Sequence, residues 1–241
     1  TFTNVKLHGA IENNSGNNIQ ITNGNFTGGV ICGGINTLMG SSTLYITGGK
    51  FDGTKICGGV HDNNTMGNQV VIDGGEFHNL DIGGVDLRGD IAGVSTLAVR
   101  DNYIIINGGT FDSVNVYGAN GSVGGTNNRI SVSERVSGFN EVKDFQCIDF
   151  TLPVGIINGD TMLISFDNTE ILVSGAMGLD LTGIETITLI HAENGLSGTY
   201  GGFTITGGID ADCNVAKEGN DIILHFNCKI FASQKLSFFN L

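Results

Sequence analysis

Apolar residues recur along the chain in pairs two positions apart: Ile19 with Ile21, Leu44 with Ile46, Val70 with Ile72, and Ile104 with Ile106. Such alternation turns every second side chain toward one face, and it predicts strands. Five residues beyond each pair stands a Phe, at Phe26, Phe51, Phe77 and Phe111, and Phe2 occupies the same phase at the start of the chain. Five residues after each Phe comes an aliphatic side chain: Leu7, Ile31, Ile56, Ile82 and Val116. Seven residues after it comes Gly9, Gly33, Gly58, Gly84 or Gly118. Two residues before the last four Phe stands Gly24, Gly49, Gly75 or Gly109, where a bend is required.

Each copy therefore reads as strand, bend, strand, with anchors 24, 25, 26 and 34 residues apart. That spacing is too short for a four-stranded propeller blade and suits one coil of a solenoid. One coil cannot bury its own apolar face. Stacked at the usual strand separation of about 4.8 Å, coils place like residues above one another. The expected fold is an all-β parallel β-helix with an interior ladder of Phe2, Phe26, Phe51, Phe77 and Phe111. Variable segments at residues 35–43, 60–69 and 85–103 fall on one corner of the coil, and the last accounts for the longest spacing.

Beyond about residue 138 the Phe–Gly pattern fades while strand character continues, so the chain divides into regular coils at 1–138 and irregular coils with a C-terminal β cap at 139–241. A final hairpin is expected at residues 215–224, around the turn Lys217-Glu218-Gly219-Asn220. Such an end covers the last strand edge of the stack.

Composition narrows the function classes. The chain has 241 residues, with 39 Gly, 1 Pro, no Trp and 15% charged residues, which disfavours helix. A formal charge of -13 with only 11 Lys and Arg argues against nucleic acid and against an anionic membrane surface. No apolar run is long enough to span a bilayer as a helix. Thr1 does not open a signal peptide, and Phe2 enters partway through a repeat, so the natural chain is expected to continue upstream.

The Gly-Gly-x-Phe rungs ending at Phe51, Phe77 and Phe111, with closing pairs such as Gly33-Gly34 and Gly58-Gly59, resemble bacterial β-helical surface proteins, notably autotransporter (type V secretion) passenger domains. A later block is similar to the end of such passengers: the run from Gly183 through Ile187 and Leu189 to Ala192, then Gly195-Leu196-Ser197-Gly198, then Lys217 through Leu224. The resemblance implies a right-handed parallel β-helix at the bacterial cell surface, engaged in adhesion or presentation. The departures are five Cys, no membrane barrel within these residues, and a tail from Asn227 to Leu241 outside the pattern.

β-Helices also host polysaccharide lyases and glycoside hydrolases, so enzymatic chemistry is the main rival. The polygalacturonase motifs Asn-Thr-Asp, Asp-Asp and Gly-His-Gly are absent, and Asn168-Thr169-Glu170 is a lone near match. Arg88, Arg100, Arg129 and Arg135 lack an acidic cluster at rung spacing. The outward columns Thr22, Thr47, Asp73, Asn107 and Thr3, Thr27, Asp52, His78, Asp112 are mixed, unlike an ice-binding threonine array. Asp52, Asp73, Asp81, Asp86 and Asp112 would be the calcium candidates, but the Gly-Gly-x-Gly-x-Asp repeat is missing and a solvated acidic face is the simpler reading. His61, His78 and His191 lack ligand partners at useful spacing. Asn25-Phe26-Thr27 matches a glycosylation sequon whose Phe is a core anchor.

Among Cys32, Cys57, Cys147, Cys213 and Cys228 no zinc spacing occurs. Cys32 and Cys57 both follow their Phe by six residues, so stacking brings them into register as a candidate disulfide or as two touching thiols. The expected function is an exported surface scaffold or adhesin. It would need no cofactor, and loops such as residues 85–103 would contact a host or bacterial surface protein, a glycan or another copy. A polysaccharide-active enzyme and a self-assembling fibre or phage-spike segment are the alternatives.

Overall fold

The computed structural model describes residues 1–9, 16–34, 41–61, 65–87, 99–119, 125–165, 167–175, 179–206 and 212–227. The chain winds into a β-solenoid of about six turns, with no helix among the described residues. Three parallel sheets run along it. The first has eight strands, from Asn18–Ile21 through Thr43–Ile46, Gln69–Ile72, Tyr103–Ile106, Arg129–Val132, Cys147–Leu152 and Asp167–Gly175 to Ser197–Thr206. The second has five: Phe2–Thr3, Asn25–Thr27, Lys50–Asp52, Glu76–His78 and Thr110–Asp112. The third has six: Lys6–His8, Val30–Cys32, Lys55–His61, Asp81–Leu87, Val114–Tyr117 and Phe139–Lys143.

Register follows the repeat. Phe2, Phe26, Phe51, Phe77 and Phe111 pair in sequence across the second sheet. Their rings stack at centroid distances of 4.9, 5.0, 5.0 and 5.1 Å. Phe51 and Phe77 are fully buried. The 34-residue spacing leaves this register intact, because Gln69 to Ile72 still pair in order with Tyr103 to Ile106. The ladder also has a sixth ring, which the anchor spacing misses. Phe139 lies 4.7 Å from Phe111, tilted by 36°, and arrives on the third sheet instead of the second.

A second interior ladder is polar. Ser42, Asn68, Asn102 and Asn128 each stand one residue before a first-sheet strand, and all are fully buried. The Asn68 amide nitrogen donates to Asn102 Oδ1 at 3.1 Å, and that of Asn102 to Asn128 Oδ1 at 3.0 Å. The same oxygens accept the backbone N–H of the preceding coil, and Gln146 Oε1 accepts that of Asn128 at 2.8 Å.

This ladder explains the Gly column at Gly33, Gly58, Gly84 and Gly118. A Cβ on Gly84 would sit 3.0 Å from Asn102 Cβ and 2.7 Å from the Gly118 carbonyl oxygen. The space is already occupied by the amide column and the next coil, so the constraint is close approach. The Gly column before each Phe has a different cause: Gly75 has φ +120°, which side-chain-bearing residues avoid.

The first sheet runs unbroken past residue 138, whereas the second sheet stops at Thr110–Asp112. A four-stranded cap follows, in the order Thr161–Ile164, Thr186–His191, Asp221–Phe226, Cys213–Glu218. Its last two pairings are antiparallel, and they include the expected hairpin with Gly219 at the turn.

Truncating Phe77 to Ala should cost about 3–5 kcal/mol, read as a drop in the chemical-denaturation midpoint at constant slope. Asn102→Ala should cost about 1–3 kcal/mol, because it strips the acceptor from a buried N–H. Phe2→Ala, at a ring that is 49% exposed, should cost clearly less than Phe77→Ala.

Candidate functional site

The Phe and Gly columns named from the sequence lie within the stack, where they pack against neighbouring coils. Cys32 and Cys57 are in register, fully buried and unbonded, with Sγ atoms 2.9 Å apart. The structure thus places two thiols in contact at the register that the repeat predicts. Burial, then the contact with Cys32, pushes the Cys57 thiol well above its ordinary value. Cys228 lies outside the described residues.

The acidic residues do not converge. Asp73 accepts from the Tyr45 hydroxyl and from Asn107 at 2.8 Å. Asp81 accepts from Asn115 at 2.8 Å, and Asp86 pairs with Lys55 at 3.1 Å. Asp52 meets Asn79 at 3.4 Å, and Asp112 lies 3.4 Å from His78. Among the described residues, no three His, Cys, Asp or Glu side chains come together as metal ligands would. Arg100, Arg129 and Arg135 each sit beside one carboxylate, that of Asp101, Asp149 and Asp160 respectively, and Arg88 lies outside the described residues. His191 pairs with Asp221 in the cap at 2.5 Å.

All three variable segments leave the coil at the corner between the third and first sheets. Residues 88–98 lie outside the described residues, but the ends of that insertion are ordered into the stack. Val85 and Val99 are buried with Ala119, and Val99–Arg100 pairs in parallel with Thr65–Met66.

The outer face of the first sheet carries a cluster that sequence reasoning missed. The Tyr103 hydroxyl reaches Asp149 Oδ2 at 2.5 Å across an intervening rung, on which Arg129 donates to Cys147 Sγ at 3.0 Å. Burial raises the Tyr103 phenol, with Asp149 adding to the shift, and burial raises the Cys147 thiol to about 11. On the third sheet, burial followed by the charges of Asp81 and Glu141 raises Tyr117 to about 12. The thiol is protonated at neutral pH, so it is a poor nucleophile.

Two of the surface concavities among the described residues lie where the repetition stops, and one lies on the regular rungs. A groove of about 620 Å³ opens below the last strands of the second and third sheets, lined by Asp112, Ser113, Asn140, Glu141, Ser165 and Glu193 among others. A shallower one of about 430 Å³ lies over the second sheet at Lys50, Asp52 and His78. A third, of about 510 Å³, lies beside Val154 and Ile157 on a tight loop; these side chains are 89% and 63% exposed. Arg135 pins that loop through Asp160 and the Gly155 carbonyl. The first and third of these grooves had no signal in the repeat columns, whereas the second follows the outward column Thr27, Asp52 and His78.

Comparison of the chain with protein-family models, curated proteins and solved structures finds no match. Function must therefore be argued from the site.

The raised groups set an alkaline limit. Cys147 and Tyr117 are favoured in protonated form by the folded chain, so their contribution is whole below the unfolded values of 9.0 and 10.0. It is lost as pH rises through about 11 and about 12. The denaturation midpoint should fall over that window, and Cys147→Ala with Tyr117→Phe should flatten the fall.

Proposed function

We propose that this protein is an exported scaffold of the bacterial cell surface that binds a partner through its exterior, without turnover. The observation that carries this reading is the division of labour within the coil. Phe, aliphatic and Asn columns fill the interior, while each described outward carboxylate named above is already engaged by its own neighbour. Catalysis by an acid and base would need two such groups converging on one substrate atom. A solenoid is also stiff and extended, and it sets its irregular segments along one corner, an arrangement suited to presentation. The low charged content and the resemblance of the Gly-rich rungs to passenger domains support an extracellular setting.

One observation favours the rival enzyme reading, namely the acidic groove at Asp112, Glu141 and Glu193. Glu141 is held by Lys143 at 2.8 Å, and Asp112 by Ser113 at 3.1 Å and His78 at 3.4 Å, so neither stands ready as a free acid or base. The net charge of -13 further opposes an anionic glycan.

Beads coated with the protein should adhere to epithelial cells or extracellular matrix. Incubation with pectin, alginate or glycosaminoglycans, with and without calcium, should release no reducing or unsaturated ends. Reproducible release of such ends would replace the scaffold reading with the enzymatic one. Absence of adhesion to any surface tested would remove its positive half.

A further inference from the structure

We propose that the 620 Å³ groove receives an extended polypeptide segment of alternating basic and apolar residues, which adds as a strand to the free edge of Phe139–Lys143. This deepens the scaffold reading and rests on it, by naming the partner of one exterior site. Phe139–Lys143 is the last strand of the third sheet, yet the first sheet continues for three more strands, Cys147–Leu152, Asp167–Gly175 and Ser197–Thr206. Thr161–Ile164 of the cap continues from Val136 through a parallel bridge at Leu163, and Thr186–His191 pairs in parallel with it in turn. Among the described residues, the third face alone lacks these rungs. Ser165 and the turn at residues 192–195 border the recess that results.

The backbone on that edge is suited to a new strand. The Lys143 carbonyl accepts from Gly118 of the preceding coil at 3.0 Å, so strand alternation turns the peptide groups of Asn140 and Val142 the other way. The Asn140 carbonyl takes the Ser165 hydroxyl at 3.1 Å, a side-chain bond that the N–H of an incoming strand would replace. An edge of this kind is a template for β-augmentation.

The lining then selects the side chains. Phe139, Val142, Ile164 and Ala192 supply an apolar floor, while Asp112, Glu141 and Glu193 supply an acidic rim. Successive residues of a strand point to opposite sides, so one set would meet the floor and the other the rim. Charge decides between occupants. A second copy of this chain carries the same -13 and is repelled, whereas a Lys- or Arg-bearing segment is attracted. A neutral oligosaccharide would use the polar rim but leave the peptide edge unmatched.

The test uses a labelled synthetic heptapeptide alternating Lys and Val, the same peptide N-methylated at alternate backbone nitrogens, and a Glu–Val counterpart, each titrated by fluorescence anisotropy. The Lys–Val peptide should bind and slow amide exchange within Phe139–Lys143. N-methylation should weaken binding by about tenfold or more, since a ladder of backbone bonds is lost. The Glu–Val peptide should not bind, and Asp112→Asn with Glu193→Gln should weaken the Lys–Val peptide and its salt dependence together. No binding, equal affinity after N-methylation, or exchange protection elsewhere would each overturn the proposal. Adhesion measured in parallel separates the two readings. Adhesion that persists without peptide binding rejects only the groove, while peptide binding without adhesion rejects only the scaffold reading.

Discussion

The stacking distance of parallel strands, about 4.8 Å, governs this molecule. Once coils lie in register at that distance, each position in the coil becomes a column, and an interior residue must fit its counterparts on the coils to either side. Phe rings satisfy this by stacking face to face at about 5 Å, as Phe26, Phe51 and Phe77 do. Asn satisfies it differently, because its amide has a donor on one side and an acceptor on the other and so repeats along an axis, with the donor unmet at the last amide of the ladder, Asn128. The Gly column is a product of these two solutions, since the amide ladder leaves no room for a Cβ at Gly58 or Gly84.

This constraint made the fold legible in the sequence. Columns held by one residue type, such as the five Phe and the Gly seven places later, announce both the coil length and the register. The Asn ladder was less visible because Ser42 and Gln146 interrupt it, although its position one residue before each first-sheet strand is as regular as that of Phe. Phe139 was hidden for a geometric reason. It reaches the stack from a strand of another sheet, so no fixed spacing from an anchor could reveal it. The register also put Cys32 beside Cys57.

The candidate site was the least legible part. Repetition reports what is present in each coil, whereas the groove exists because the third face omits rungs that the other two continue. No column records such an omission. The Tyr103, Arg129, Cys147 and Asp149 cluster is hidden similarly, since its members are different residue types on three successive rungs and make contact only after stacking. Both features thus depend on what differs between coils and not on what repeats.

The amide ladder also bears on how the stack comes apart. Each buried N–H at Ser42, Asn68, Asn102 and Asn128 finds its acceptor on the coil that follows in sequence, ending at Gln146. The next residue in each coil donates the opposite way: Gln69, Tyr103 and Arg129 give their N–H to the carbonyls of Ser42, Asn68 and Asn102 on the coil before. Each boundary between coils is thus fastened in both senses, and removing a coil from either side strands a backbone N–H.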